Sequence, residues 1–175
     1  MRRTRQTIGR AVAVGLLPLL ALIAPVGLVA MSASARAEVV VLDDLGSASA
    51  EDIVATRQSN FRGNGRAMKT MSQAVKAGDM AAVAAGARHI AEWGEIMTEY
   101  FPPRTSPRET AGAFKNDAEH EIWREWDDFV GLASNTASAA GRLAALAEAG
   151  DVAGVGATLK EVGASCGACH RKYKK

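Results

Sequence analysis

The strongest structural signal in this chain lies in residues 151–175, which read DVAGVGATLKEVGASCGACHRKYKK. Apolar and sulfur-bearing side chains recur there at alternating intervals of three and four residues, as they do along one face of an α-helix. The stripe consists of Val152, Val155, Leu159, Val162, Cys166, Cys169 and Tyr173. So regular a seam is typical of a helix that packs along its length against parallel or antiparallel neighbours.

Three segments upstream share the helical period. The expected helices are residues 49–77, 79–100 and 118–148, and the fourth follows Asp151 as its cap. Ser49 opens the first of them as part of a capping box, in which its hydroxyl accepts from the next turn of backbone. Strand-like alternation is absent from the sequence, so all four segments are assigned to helices.

The connections between these segments predict their relative directions. Gly78 and Gly150 each end one helix just before the next begins, so the helices on either side must run antiparallel. Residues 101–117 contain Pro102 and Pro107 and form a long connection between the two hairpins. The predicted fold class is therefore all-α, an antiparallel four-helix bundle.

Cys166, Cys169 and His170 form Cys-x-x-Cys-His, the attachment pattern of a c-type haem. At helical positions i, i+3 and i+4 they share one face, so two thiols can bond the haem vinyl groups while the imidazole reaches the iron. The chain has two cysteines in all, and the motif uses both. The predicted cofactor is one covalent haem c, with His170 as the metal ligand.

Other uses of paired cysteines fit this sequence less well. A thioredoxin-like pair needs a preceding strand and an exposed helix N-terminus, whereas this pair ends a helical pattern. A zinc site takes three or four ligands, and the remaining histidines, His89 and His120, are distant in the sequence. Both are expected at the surface, with His89 the first candidate for a sixth iron ligand if the helix register differs.

The N-terminal residues have the form of a secretion signal. Four arginines among the first ten residues precede an apolar run over residues 11–30, and Ala35-Arg36-Ala37 supplies a cleavage site. We therefore expect residues 1–37 to be removed and residues 38–175 to form the mature bundle. Cleavage two residues earlier is an alternative. An uncleaved membrane anchor is another, although the small residues at the cleavage site favour removal of the segment.

Removal of the signal reverses the sign of the charge. The full chain has 21 Lys and Arg against 19 Asp and Glu, a formal net charge of +2. Residues 1–37 hold five arginines and no acidic residue, which leaves 16 basic against 19 acidic groups, about −3 net. The mature chain therefore indicates no nucleic-acid partner. Its expected location is the bacterial periplasm, where c-type haem is attached.

Several motifs outside the haem-binding residues also fit one known family. They are Arg57-Gln58, Asn64-Gly65-Arg66-x-Met68, Gly78-Asp79, Phe101-Pro102, Ile122-Trp123, Phe129, Val162-Gly163 and Tyr173-Lys174. On these residues, and on the C-terminal position of its haem motif, the chain resembles the class II c-type cytochromes, which comprise cytochrome c′ and its low-spin relatives. The resemblance covers nearly all of residues 50–175. It implies an antiparallel four-helix bundle with covalently bound haem, and it favours a homodimer formed through the first two helices.

The resemblance also implies roles for two cations near the haem. Arg57 stands where the family packs an arginine at the haem edge, and it could pair with a propionate through charge-assisted hydrogen bonds. Lys174, four residues after His170, stands on the proximal side. An ordinary solvated cation is the alternative for both. Trp126 and Phe129 are predicted to face inward and are the aromatic candidates for the pocket wall.

Phe61 stands at the position that determines the iron chemistry in this family. Low-spin members have a methionine there that binds the iron, whereas high-spin members have an apolar side chain. Because phenylalanine has no lone pair to donate, we expect five-coordinate iron beneath it. Gly63 and Gly65, one turn on, indicate close approach by a helix or by the porphyrin.

The expected function is that of a periplasmic electron carrier with a redox partner. Binding of a diatomic gas such as nitric oxide or carbon monoxide is the alternative. We expect no enzymatic activity, because peroxide activation needs a positioned acid–base group above the iron, and Phe61 offers none.

Overall fold

Four long helices dominate residues 38–175, the part of the chain that this computed structural model describes. Two single-turn helices lie between the second and third of them. In chain order the helices are α1 (Ala50–Ala77), α2 (Met80–Ile96), α3 (Pro107–Thr110), α4 (Glu121–Arg124), α5 (Trp126–Glu148) and α6 (Val152–Tyr173). The predicted secretion signal, residues 1–37, lies outside the described residues.

The long helices pack as an antiparallel four-helix bundle, which confirms the predicted fold class. The most extensive contacts join α2 to α5, α5 to α6 and α1 to α2. Gly78 and Gly150 have φ angles of 73° and 72°, a left-handed conformation that glycine adopts without a Cβ clash. Each lets the chain reverse within a few residues, so the two predicted hairpins form. None of the helices described here has the length and apolarity needed to cross a membrane.

Three of the long helices begin at side-chain caps, of which the sequence predicts those at Ser49 and Asp151. The Ser49 hydroxyl accepts from the backbone N–H of Asp52 at 3.1 Å. Asp79 and Asp151 cap α2 and α6 in the same way, each accepting at 2.9 Å from a backbone N–H three residues further along the chain. Such caps satisfy donors that the first helical turn leaves unpaired.

The prediction of one helix over residues 118–148 is wrong at its start. Glu125 has φ −121° and ψ 45° and separates α4 from α5. Tertiary contacts hold the chain on both sides of this break: the indole N–H of Trp123 donates to the Phe101 carbonyl at 2.9 Å, and the Tyr173 hydroxyl lies 3.2 Å from a Glu125 carboxylate oxygen. Trp126, predicted to face inward, is the first residue of α5 and has 38% of its surface exposed.

The buried side chains form two groups of different character. The group near the hairpin turns is aliphatic and includes Met71, Val83, Leu143, Val155 and Val162. The group at the other end of the bundle is rich in aromatic rings and includes Trp93, Tyr100, Phe101, Phe129 and Tyr173. The Phe101 and Phe129 ring centroids are 4.8 Å apart, and those of Phe129 and Tyr173 are 5.5 Å apart. A cavity borders this aromatic end.

Candidate haem site

A cavity of about 320 Å³ lies among α1, α6 and the chain between α2 and α5. Its apolar wall consists of Phe61, Phe101, Ile122 and Phe129. The haem motif of α6 reaches the same cavity, since Cys169 and His170 are among its lining residues. An apolar cavity with a few polar groups at its edge is the usual form of a cofactor site.

The two cysteines lie on the predicted face of α6. Cys169 lines the cavity, and Cys166, one turn earlier, packs against the edge of the aliphatic core. Both are half-buried free thiols. Burial raises the pKa of Cys166 and raises that of Cys169 to about 11. Such thiols remain protonated at neutral pH, which does not favour the thioredoxin-like alternative, since that chemistry depends on a lowered thiol pKa.

His170 lies at the mouth of the cavity, exposed on one side. Partial burial, together with the positive charge of Lys174, lowers the pKa of its imidazole. The neutral imidazole that this favours is the form that binds metals. Within residues 38–175, no three His, Cys, Asp or Glu side chains come together as metal ligands.

Phe61 reaches the cavity from α1, and neighbouring rings hold it in place. Its ring meets Trp93 edge-on, with centroids 5.7 Å apart, and lies 6.4 Å from the Phe101 ring. Met68, two turns further along α1, is not among the residues that line the cavity. It packs instead beside Gly163 in the aliphatic part of the bundle.

Arg57 is buried, with 2% of its surface exposed, so the alternative of a solvated surface cation is wrong. Its Nη1 donates to the Tyr100 carbonyl at 3.1 Å and to Thr105 Oγ1 at 2.9 Å, and its Nη2 donates to Asn116 Oδ1 at 2.7 Å. The guanidinium carbon lies 4.2 Å from the centre of the Phe101 ring. Burial lowers the pKa of Arg57 to about 10, which leaves it charged at neutral pH.

The C-terminal end of α6 is fixed by contacts that the sequence pattern does not reveal. Lys174, exposed at the cavity mouth, pairs through its backbone with Ala118, and the N–H of Glu119 donates to the Tyr173 carbonyl at 2.9 Å. The buried Tyr173 hydroxyl donates to Asp128 at 2.6 Å. Only the Tyr173 ring could be anticipated from the sequence, because it belongs to the periodic stripe of α6.

Of the two aromatic candidates for the pocket wall, one lines the cavity and the other does not. Phe129 is 1% exposed and lines the cavity. Trp126 packs on Phe129, with ring centroids 5.6 Å apart, and lies outside the cavity lining. The prediction that Trp126 faces inward is therefore wrong, and Phe129 of the same helix is buried as predicted.

The prediction that His89 lies at the surface is wrong. Its side chain is 4% exposed and faces Gly63 of α1, where a Cβ atom would lie 2.8 Å from His89 Nε2. The missing side chain of Gly63 therefore makes room for the imidazole between α1 and α2. His89 is not among the cavity-lining residues. His120 is half-buried, with its ring stacked 6.4 Å from that of Trp123.

These residues fit a covalently attached haem. One wall offers a thiol and an imidazole from the same turn of α6, and the rings around Phe61 offer apolar surface to a porphyrin. The acceptors of Arg57 among the described residues are all neutral. A buried cation without a carboxylate partner favours an anionic group in the adjoining cavity, as a haem propionate would be.

Comparison with known proteins agrees with this geometry. The family model for Cytochrome C′ matches residues 52–174. The cytochrome c′ of Pararhodospirillum photometricum is 34% identical over 128 residues, which cover 73% of this chain and 100% of that protein.

Two solved structures extend the comparison. The nitric oxide complex of a cytochrome c′ variant from Alcaligenes xylosoxidans is 30% identical, with a TM-score of 0.62 over 73% of this chain and 98% of the other. A cytochrome c′ with ligand-controlled dimer dissociation is 27% identical, with a TM-score of 0.65 over 73% and 97%. The chain therefore belongs to the cytochrome c′ family of class II c-type cytochromes, whose members carry one covalent haem c per chain.

Proposed function

We propose that this chain is a periplasmic electron-transfer protein in which Cys166 and Cys169 anchor the haem and His170 is the proximal iron ligand. The observation that carries the proposal is that Cys169 and His170 of α6 line the same cavity as Phe61 of α1. When bound, the haem supplies an iron centre that accepts and releases one electron.

The chain's own residues then have distinct tasks. The rings of Phe61, Phe101 and Phe129 keep water out of the cavity, because water there would lack hydrogen-bond partners. Arg57 places a fixed positive charge at one side, which would hold an anionic haem edge through its charged donors. Lys174 adds a second, exposed cation at the mouth.

We infer that the iron is five-coordinate and that Phe61 covers its open side. Phe61 has no lone pair, and its ring is held by Trp93 and Phe101. Among the described residues that line the cavity, His170 has the only imidazole and no methionine is present. Tyr173 also lines the cavity, and its hydroxyl donates to Asp128.

Binding of an uncharged diatomic gas is the second candidate function. The apolar wall beside Phe61 favours ligands such as nitric oxide or carbon monoxide over water. The similar protein from Alcaligenes xylosoxidans was solved as a nitric oxide complex. A catalytic role is not expected, since the benzyl group of Phe61 has no acid–base function.

Location and assembly complete the proposal. Export to the periplasm rests on the arginine-rich start and the Ala35-Arg36-Ala37 site of the sequence. A homodimer through α1 and α2 stays a prediction, supported by the likeness to a cytochrome c′ that dissociates from a dimer under ligand control.

The Phe61→Met variant tests the coordination directly. A thioether at this position would provide a sixth ligand, so we expect the absorption spectrum of the holoprotein to move toward six-coordinate, low-spin iron. The matched control, Phe61→Leu, retains an apolar side chain without a lone pair and should keep the high-spin spectrum.

Carbon monoxide provides the complementary measurement on the unaltered, reduced protein. A prompt spectral shift on gas addition is expected for an open iron position. An unchanged spectrum in Phe61→Met would show that Phe61 is not above the iron, and a sharp, gas-insensitive low-spin band in the unaltered protein would remove the gas-binding candidate.

A further inference from the structure

The mouth of the haem cavity has a charge opposite in sign to that of the chain around it. Four cations line the cavity, Arg57, Arg62, Lys115 and Lys174, and Asp117 is the one carboxylate among the described lining residues. Residues 38–175 as a whole carry about −3, with 16 basic and 19 acidic groups. A local concentration of positive charge on an acidic chain creates a directional field.

Three of these cations project into solvent, and together we name them the basic mouth: Arg62, Lys115 and Lys174. Among residues 38–175, neither Arg62 nor Lys174 pairs with an Asp or Glu side chain, and Lys174 Nζ donates to the main-chain oxygen of Lys175 at 3.3 Å. Lys115 Nζ lies 3.6 Å from Asp117 Oδ2, but its side chain is 80% exposed, so this pair is weak. The basic mouth is therefore largely uncompensated by the protein itself.

The haem would neutralise only part of this charge. Its two propionates and Asp117 contribute three negative charges against the four cations that line the cavity. One net positive charge remains, and Arg57, being buried, is the cation best placed to take up a propionate. The exposed cations of the basic mouth remain available to a partner.

The surroundings of the basic mouth favour a protein partner over a membrane. Membrane-binding surfaces combine cations with exposed apolar anchors. The large apolar side chains exposed within the described residues are Val40, Val41, Trp126, Val130 and Val152. None of them lines the cavity.

We propose that the basic mouth is the docking surface for an acidic redox partner protein, and that it orients the partner's electron carrier toward the haem. This inference rests on the proposed electron-transfer function. In the exchange, one electron leaves the partner's reduced carrier and the iron passes from ferric to ferrous, with no bond made or broken. The acidic remainder of the chain repels the same partner, so attraction is confined to the mouth and is weakened by salt.

Two flavins provide a matched pair of probes for the holoprotein. Reduced FMN and reduced riboflavin share the same redox ring and differ by a phosphate group, so their rates of haem reduction differ through charge. We expect FMN to react several-fold faster than riboflavin at low ionic strength. The difference should vanish near 1 M salt, where the Debye length is about 3 Å. Polyglutamate should slow reduction by FMN at low ionic strength, because it occupies the same surface.

Charge-reversal variants locate the effect. Arg62→Glu combined with Lys115→Glu should abolish the advantage of FMN and leave the riboflavin rate and the absorption spectrum unchanged. The control combines Lys76→Glu with Lys160→Glu, two exposed cations outside the cavity lining. It makes the same change in net charge and should retain the advantage of FMN.

Three outcomes would overturn the proposal. The first is equal rates for the two flavins in the unaltered protein at low ionic strength. The second is an equal loss of the FMN advantage in the control variant. The third is co-sedimentation with phosphatidylglycerol vesicles that the mouth variant loses, which would assign the surface to a membrane. All three leave the spectrum and carbon monoxide binding intact, so they are distinguishable from a failure of the proposed haem coordination.

Discussion

Arg57 ties α1 to the irregular chain that follows α2. A guanidinium offers five donors in a planar fork, and this one reaches acceptors on Tyr100, Thr105 and Asn116 at once. Burial lowers its pKa to about 10 from an ordinary 12.5. Below pH 10 the group is charged in the folded and unfolded states alike, so its full burial cost is present at neutral pH. Hydrogen bonds, and an anion in the cavity, offset that cost.

Replacing Arg57 by lysine separates its geometry from its charge. Lysine keeps the positive charge but lacks the planar guanidinium. Acceptors in the chain that follows α2 therefore lose their donor. We expect Arg57→Lys to lower the free energy of unfolding of the holoprotein by about 1–3 kcal/mol, measured by urea denaturation. Arg108→Lys, an exposed position in α3, is the control and should change it little. Equal losses in both variants would mean that the fork contributes nothing.

The distance between neighbouring long helices depends on where a glycine, which has no side chain, stands at their contact. At Gly94 of α2, a Cβ would lie 2.8 Å from the Cβ of Ala137 and 3.0 Å from its Cα, so α2 and α5 approach there to backbone distance. Gly63 makes similar room for His89, which confirms the predicted close approach of a helix. At Gly65 no neighbouring helix approaches, because no atom of the described residues lies within 4 Å of a Cβ built there.

Two glycine-to-alanine variants should therefore change stability in opposite directions. Gly65→Ala adds helix propensity at an exposed position and should raise the free energy of unfolding by about 1 kcal/mol. Gly94→Ala forces α2 away from α5 and should lower it by about 1–3 kcal/mol. Urea denaturation of both holoproteins measures the difference. A gain in Gly94→Ala would show that the two helices separate at no cost.

Across the whole molecule, one polar cluster joins α5 to the C-terminal end of α6 beside the haem cavity. Lys172 Nζ lies 2.6 Å from Glu125 and 2.9 Å from Asp128, and Tyr173 donates to Asp128. Hydrogen bonds from Lys172 lower the pKa of Glu125, and those from Tyr173 lower that of Asp128. Lowered carboxyl pKa values stabilise the fold above their ordinary range, and that stability is lost as the pH falls.

The stability of the fold at high pH tests the same polar cluster. Burial and the bond to Asp128 raise the pKa of Tyr173 to about 12 from an ordinary 10. A raised pKa contributes stability that is complete below pH 10 and is lost as the pH rises toward 12. The difference in free energy of unfolding between the unaltered protein and Tyr173→Phe should therefore be largest below pH 10 and shrink by pH 12. If the difference in free energy of unfolding does not depend on pH, the Tyr173 hydroxyl proton does not contribute to stability.

Local chemistry was enough to predict most of the architecture. The predicted caps at Ser49 and Asp151 form because their side chains reach backbone donors three residues away, and Gly78 turns the chain because it lacks a Cβ. The haem motif is local in the same sense, since Cys166 to His170 span a single turn of α6. The family resemblance rests on such short motifs, and the comparison with known proteins confirms it.

Contacts between distant residues determined the rest. The sequence by itself established the helices, their antiparallel pairing and the covalent haem, because each follows from residues within one or two turns of one another. Only the tertiary structure placed Asn116 on Arg57, buried His89 against Gly63 and broke the helix at Glu125. His89 meets Gly63, 26 positions away in the sequence, and Arg57 meets Asn116, 59 positions away. Helical periodicity carries no information about which partner a side chain will meet.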